Sequence, residues 1–283
     1  MISIKNLEFR YGDSEDPALR DITLDVESGD FLGIIGPSGA GKSTLTYAMS
    51  GVIPHHYKGD FYGSVEIGGL DTVQSSPEAI ARHVGSVFQD VEGQLLASVV
   101  EDEILFGLEN FGIPREEIEE RIEYALSSSG ISDLRCRTIA SLSGGQKQKV
   151  AIASITALRP EVIVLDEPTG ELDPQSSRRV FETLRELNHT YGVTVVIVEQ
   201  KIMMLCEFAR RMAVMEAGRI ILEGPVREVL SHGERLEEAG VNIPRVAALS
   251  RRLREAGLYR GNTPIDLAEA ETMMREVAAD AAF

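Results

Sequence analysis

Residues 36–43 read Gly36-Pro37-Ser38-Gly39-Ala40-Gly41-Lys42-Ser43, and no other stretch constrains the fold as tightly. The pattern G-x-x-x-x-G-K-[ST] has meaning only between a strand and a helix. Phe31-Leu32-Gly33-Ile34-Ile35 supplies the buried strand and Thr44-Leu45 opens a helical stretch. Glycines let the chain curl so that successive N–H groups face phosphate oxygens, and the helix N-terminus adds a favourable dipole. Gly36 through Thr44 are therefore expected to hold the phosphates of ATP, with Lys42 reaching the β- and γ-phosphates and the Ser43 hydroxyl ligating Mg²⁺. A chain of this length matches the pattern by accident roughly once in a hundred, and the strand–loop–helix context lowers that further.

A P-loop is shared by many machines. Val162-Ile163-Val164-Leu165 is a continuous apolar run that ends in Asp166-Glu167-Pro168. Such a run fits an interior parallel strand buried on both faces, whose C-terminal end is where α/β proteins bind ligands. Asp166 is expected to hold Mg²⁺ through water and Glu167 to polarise an attacking water.

Leu142-Ser143-Gly144-Gly145-Gln146 follows the P-loop and precedes Asp166-Glu167, and a helical run with Val150, Ile152, Ile155 and Leu158 comes after it. Ser143 and two glycines at a helix N-terminus make a second anion site. With these three motifs in this order the chain resembles the ATP-binding cassette (ABC) ATPases. The resemblance implies an α/β P-loop NTPase with an antiparallel β subdomain and an inserted helical subdomain. It also implies that Ser143, Gly144, Gly145 and Gln146 cap the γ-phosphate held by a partner's P-loop, so that two ATP molecules lie between two ATPase subunits of the same or different chains.

Other positions follow from the resemblance one at a time. Tyr11 resembles the aromatic that stacks on adenine. Gln89, after Val87-Phe88, resembles the glutamine that joins Mg²⁺ and the attacking water to the transporter interface. Asp173, in Gly170-Glu171-Leu172-Asp173, resembles the loop that crosses to the partner subunit. One position departs. The strand Val195-Val196-Ile197-Val198 should end near a histidine that contacts the γ-phosphate, and here it is followed by Glu199-Gln200-Lys201. Gln200 can hydrogen-bond a phosphate or a water but cannot take up charge near neutral pH as imidazole does. His189 lies before the strand and is no substitute.

Residues 1 to about 70 alternate apolar and polar in short runs, as in Ile22-Thr23-Leu24-Asp25-Val26, which predicts half-buried antiparallel sheet. Residues 89–157 read as the helical subdomain, with Ser98 and Glu101 placed as a capping box. Pro114 is expected to open a helix carrying Ile118, Ile122 and Leu126 on one face. A helix near Gln175–Leu187, a strand near Thr194–Val198 and short strands around Gly218 complete a cassette over 1–226. Residues 227–283 read as a C-terminal helical extension, with Pro244 and Pro264 at helix starts and Val246, Leu249 and Leu253 along an apolar stripe. That extension either packs on its own domain or serves dimerisation or regulation.

The balance of 28 basic against 45 acidic residues gives a net charge of -17, which repels nucleic acid, and no basic stripe is concentrated locally. No apolar run approaches the ~20 residues of a membrane-spanning helix, and Met1-Ile2-Ser3-Ile4-Lys5 lacks a signal peptide's apolar core. The expected location is the cytoplasmic face of the membrane, held peripherally through a partner. Cys136 and Cys206 lack a second thiol at metal or redox spacing and read as buried, inert thiols. His55-His56, with no third ligand, reads as surface loop. Met203, Met204, Met212 and Met215 read as core filler.

Gln89-Asp90-Val91-Glu92-Gly93-Gln94-Leu95-Leu96, with Val100-Glu101-Asp102-Glu103 and Phe106-Gly107-Leu108-Glu109-Asn110 after it, is similar to energy-coupling-factor transporter ATPases. That likeness implies an importer for vitamins or metal ions and a transmembrane coupling subunit gripped near residues 89–110. It also implies that the C-terminal extension helps pair two ATPases. The alternatives are a regulatory ABC subunit that binds ATP but hydrolyses it poorly because of Gln200, and an ABC ATPase outside transport. The second usually brings tandem cassettes, long coiled coils, zinc motifs or basic surfaces, none of which this sequence displays.

Overall fold

The computed structural model describes residues 1–280; the last three residues of the expected 227–283 extension lie outside the described residues. In chain order, β1 (Ile2–Tyr11) and β2 (Leu19–Val26) are followed by β3 (Phe31–Ile35), helices α1 (Lys42–Met49) and α2 (Val52–His55), and β4 (Gly59–Ile67) with β5 (Leu70–Asp71). Next come α3 (Pro77–Ala81), β6 (Val84–Val87), α4 (Val100–Asn110), α5 (Arg115–Ser129) and α6 (Gly144–Leu158). The remainder is β7 (Val162–Asp166), α7 (Pro174–Tyr191), β8 (Thr194–Val198), α8 (Ile202–Phe208), β9 (Arg211–Glu216), β10 (Arg219–Pro225), α9 (Val226–Ser231), α10 (Gly233–Glu238), α11 (Arg245–Glu255) and α12 (Leu267–Asp280).

Two sheets form. An antiparallel one runs β2-β1-β4-β5, and a second runs β10-β9-β3-β8-β7-β6. In the second, β9, β3, β8, β7 and β6 are mutually parallel, and only β10 pairs antiparallel. The continuous apolar runs of β3, β7 and β8 arise because both faces of this sheet are covered. Phe31, Ile35, Ile163, Leu165, Val195 and Ile197 enter one core with Phe181, Leu184 and Leu187 of α7. Leu32, Ile34, Val162, Val164, Val196 and Val198 point the other way, into a core shared with the antiparallel sheet and α1. The alternating segment Ile22-Thr23-Leu24-Asp25-Val26 contributes Ile22, Leu24 and Val26 to that second core.

A third core belongs to the helical insertion. Val100, Ile104 and Leu108 of α4 meet Ile122 and Leu126 of α5 and Val150, Ala153 and Ala157 of α6. Arg135 ties the insertion together by donating to Glu101 on α4 and Glu119 on α5 at 2.6 and 2.8 Å, and also to Glu123. Pro114 caps α5 as expected. The expected Ser98–Glu101 capping box does not form. Val99 is the cap residue of α4, the Ser98 carbonyl accepts from Ile139 N–H at 2.9 Å, and Glu101 is taken by Arg135. Glu103 instead folds back and accepts from the N–H groups of Leu96 and Ala97 at 2.8 and 2.7 Å.

The apolar core beneath α7 continues past the cassette strands through Val226, Val229, Leu230, Leu236, Ala239 and Val241. Arg227 fastens α9 to α12 through Glu269 at 2.8 Å. On α11 the buried residues are Ala247 and Ser250, whereas Leu249 is 39% exposed. The stripe of Val246, Leu249 and Leu253 is thus only partly covered.

Three further expectations change. Cys136 is exposed, not buried, because its neighbours Arg135 and Arg137 give their carbonyls to the first N–H groups of α4 and turn the intervening side chain outward. Met212 and Met215 are core residues, but Met203 is 41% exposed because α8 turns Leu205, Cys206 and Phe208 inward. His55 ends α2 rather than lying in a loop, and its Nε2 is 2.7 Å from the Thr72 carbonyl. No described helix is long and apolar enough to cross a membrane.

Candidate nucleotide site

The P-loop leaves the end of β3 and turns into α1. Its backbone needs glycine at both shoulders. Gly36 has φ 154 and Gly41 has φ 97, and a Cβ there would stand 2.3 Å from the Met215 carbonyl oxygen and 2.6 Å from that of Ala18, respectively. Either clash would require the neighbouring backbone to move. Lys42 is buried and donates from Nζ to the carbonyls of Gly36 and Pro37, both at 2.9 Å. The ammonium is thereby held over the loop whose N–H groups would bind phosphate. Tyr11, at the end of β1, places its hydroxyl 3.1 Å from Thr44 Oγ1 and packs edge-on against Tyr57.

Asp166 ends β7 beside the P-loop. It is 2% exposed, and its Oδ2 has no hydrogen-bond partner. Burial pushes its carboxyl above the ordinary aspartate value; the Ser43 hydroxyl opposes that, Glu167 adds to it and Lys42 opposes it. A buried carboxylate with a free oxygen beside a hydroxyl is a donor set for a hard cation. Mg²⁺ fits it, since this ion takes one or two protein oxygens and completes its shell with water and substrate phosphate. No cluster of three or more metal-binding side chains occurs among the described residues, so an all-protein cage is not what this site offers.

Glu167 has φ 51, a left-handed backbone that is uncommon outside glycine. Both sides of its peptide hold it there. Its N–H donates to Val198 O at 2.9 Å, and its carbonyl accepts from Gly170 N–H and from Gln148 Nε2, both at 3.2 Å. Its side chain accepts from Gln200 Nε2 at 2.8 Å. Gln89 lies just beyond β6 and lines a cavity of about 450 Å³ together with Glu167, Gly144, Gln148 and Gly170. Gly36, Pro37 and Ser38 line a separate one of about 270 Å³, with Glu199, Gln200 and the segment Gly240–Asn242.

Ser143 caps α6 in a complete capping box: its hydroxyl accepts from Gln146 N–H at 3.3 Å, and Gln146 Oε1 accepts from Ser143 N–H at 3.0 Å. Asp173 caps α7, its Oδ1 accepting from the N–H groups of Gln175 and Ser176 at 3.0 Å. The Ser176 hydroxyl, together with those N–H bonds, holds its carboxyl below the ordinary range.

Four residues outside the sequence motifs also come to this region. Gln94 accepts from Phe88 N–H at 2.8 Å and so braces the segment before Gln89. Gln148 is buried and holds the Glu167 carbonyl. Glu199 and Lys201 flank Gln200 and bond the loop after Glu167. No local signal could have found them: Gln148 stands among Gln146, Lys147 and Lys149, and the other partners are distant in sequence or bond only to backbone.

A parallel sheet carrying a P-loop at one strand end, an acidic pair at the end of another and a capped helical insertion between them define a P-loop nucleoside triphosphatase. The family described as ABC transporter matches residues 19–170. Over 92% of its length the chain is 42% identical to a putative ABC transporter ATP-binding protein of Pyrococcus abyssi, covering 93% of that protein. It is 38% identical over 97% of both chains to the energy-coupling factor transporter ATP-binding protein EcfA1 of Caldanaerobacter subterraneus. In structure it is similar to cbiO1 from Clostridium perfringens, described as part of the ABC transporter complex cbiONQ, with a TM-score of 0.71 and 30% identity over 88% of this chain and 98% of that one. This chain belongs to the ABC transporter family and is an ATP-binding ATPase cassette of it.

Proposed function

We propose that the chain is the ATP-hydrolysing subunit of an importer of the energy-coupling-factor type, taking vitamins or metal ions, and that it works as one of two ATPase subunits closing on two ATP molecules. The observation that carries the ATP site is the buried Asp166 carboxylate, with one free oxygen, beside Ser43 and Lys42. The importer assignment is supported by near-full-length likeness to a protein named as an energy-coupling factor ATPase.

In this reading the N–H groups of Gly36 through Thr44 bind the β- and γ-phosphates, and Lys42 leaves the Gly36 and Pro37 carbonyls to follow them. Tyr11 stacks on the base. Mg²⁺, when bound, neutralises charge on the phosphate oxygens, with Ser43, Asp166 and Gln89 as its protein-side partners. Glu167 orients and polarises the attacking water, and Gln200 donates its amide to the same region. Ser143, Gly144, Gly145 and Gln146 present a helix N-terminus to the nucleotide of the other subunit, and the loop at Asp173 crosses to that subunit. Closure is a population shift driven by nucleotide bound between subunits. Residues near 89–110 carry it to a transmembrane coupling subunit, which keeps the chain on the cytoplasmic face of the membrane. Residues 1–226 make up the nucleotide-binding unit, and 227–283 the extension that helps to pair subunits.

Copurification of the full chain with its membrane partners tests this directly. Integral membrane subunits should co-elute, and ATP turnover of the complex should be lost in Lys42→Ala; isolation of nucleic acid or soluble partners alone would sink it. A second reading keeps ATP binding but assigns weak hydrolysis, motivated by Gln200 beside an intact Glu167. Pairing with a different ATPase reconciles the two, since the intact Ser143 segment would complete a competent site on a histidine-bearing partner.

A further inference from the structure

The two residues flanking Gln200 grip a single residue, Thr169. Glu199 is 2% exposed and Thr169 is fully buried. The Thr169 hydroxyl donates to Glu199 Oε2. The other carboxylate oxygen, Oε1, accepts from the N–H groups of Gln200 and Lys201 at 2.8 and 3.1 Å. Lys201 then reaches over the same loop: its Nζ donates to the Thr169 carbonyl at 2.6 Å, the Leu172 carbonyl at 3.1 Å and Ser177 Oγ at 2.8 Å. An ammonium has three donors, and all three are used. Thr169 is therefore held at its hydroxyl by the residue before Gln200 and at its carbonyl by the residue after it.

What lies between these contacts is the reactive pair. Glu167 begins the gripped loop and Gln200 sits at the centre of the gripping segment, with the Gln200 Nε2–Glu167 Oε1 bond at 2.8 Å closing the ring. A left-handed glutamate backbone costs on the order of 1–3 kcal/mol and persists only where surrounding bonds over-determine it. Burying a carboxylate is likewise expensive unless its oxygens are bonded, and here both oxygens of Glu199 are committed. A plain closure of the sheet end needs neither the ammonium nor a second grip on the same residue.

We infer that Glu199 and Lys201 are positioning residues that hold the Gln200 amide on Glu167 by clamping Thr169. The inference rests on the reading of Glu167 as the residue that polarises water. It predicts that the clamp acts through Gln200 and on turnover, not on ATP affinity.

The test measures kcat and KM for ATP of the full chain in complex with its companion subunits, for Lys201→Met, Gln200→Ala and the double variant, with Glu167→Gln as control. Lys201→Met is expected to lower kcat about tenfold, as a misplacement of this scale does, with KM within about twofold. In the Gln200→Ala background the same substitution should lower kcat by less than about twofold. Equal loss in both backgrounds, no loss, or a loss carried by KM overturns the clamp. Thr169→Val, which removes only the hydroxyl grip, should give the same non-additivity and stands in if Lys201→Met does not fold. Turnover that survives Glu167→Gln sinks the reading of Glu167 itself. Abolition in Glu167→Gln together with additive Lys201→Met sinks the clamp alone.

Discussion

Gln200 donates its side-chain amide to Glu167 Oε1 at 2.8 Å, joining the residues just beyond the neighbouring strands β8 and β7. One oxygen of the glutamate is thus occupied by a neutral donor. An imidazole in place of Gln200 could exchange a proton near neutral pH, whereas the amide only donates or accepts hydrogen bonds. Gln200 therefore can hydrogen-bond a water beside Glu167 but cannot itself change charge as the reaction proceeds.

Glu167→Gln should lower ATP turnover of the assembled complex by about 100-fold or more, the scale of removing a general base. If Gln200 impairs this site, Gln200→His should raise turnover severalfold and add a limb to its pH profile near the ordinary histidine value of about 6.5. Turnover abolished by Glu167→Gln and unmoved by Gln200→His would rule out an impaired site.

Asp166 makes the nucleotide-free protein less stable than it could be. Its carboxyl keeps its proton to higher pH in the fold than in the unfolded chain, because burial raises it above the ordinary value of 3.8. The folded state then binds more protons through that window, so stability falls as pH rises from 3.8 through the raised value. Asp166→Asn should remove the penalty and raise the nucleotide-free Tm by a few degrees. It should also weaken Mg²⁺-dependent ATP binding by about tenfold or more. Scanning calorimetry and ATP titrations with and without Mg²⁺ check both arms; a lower Tm in the variant contradicts the argument.

Order and kind of element were legible where the signal is local. The runs at β3, β7 and β8 are apolar throughout because both sheet faces are covered, and a run of that kind admits few other readings. The P-loop lies within eight consecutive residues, so its geometry is a property of one segment. The contacts of Glu199 and Lys201 were not legible, because Thr169 lies 30 residues from Glu199 and Lys201 bonds mainly to carbonyls, which every residue has. The Ser98–Glu101 pairing failed for the same reason: Arg135, 34 residues away, competes for Glu101. Cys136 was misread since composition cannot say which way a side chain in a turn faces.

The two thiols should differ sharply in reactivity. Cys136 is exposed, whereas burial pushes the Cys206 thiol up to about 12. Only the thiolate attacks, so a thiol reagent at neutral pH should modify about one thiol per native chain and both after denaturation. Rapid labelling of Cys206 in the native protein would show that α8 opens.

The apolar stripe of α11 bears on how the extension is used. Ala247 and Ser250 are buried, with α11 packed against α9, α10 and α12, so α11 already has one packed side and needs no further cover to fold. Leu249, 39% exposed, lies on the side left over, and an extension that pairs two ATPase subunits would bury it in their contact. A polar replacement of a surface residue shifts stability by about 0.5 kcal/mol or less, so Leu249→Glu should leave the Tm of the single chain nearly unchanged. Burying that glutamate in a subunit contact would leave a charge without a partner, and association should weaken by about tenfold or more. Sedimentation of the full chain over a concentration series, with and without ATP, reads this separately from folding. Association untouched by Leu249→Glu would mean that the extension packs only on its own cassette.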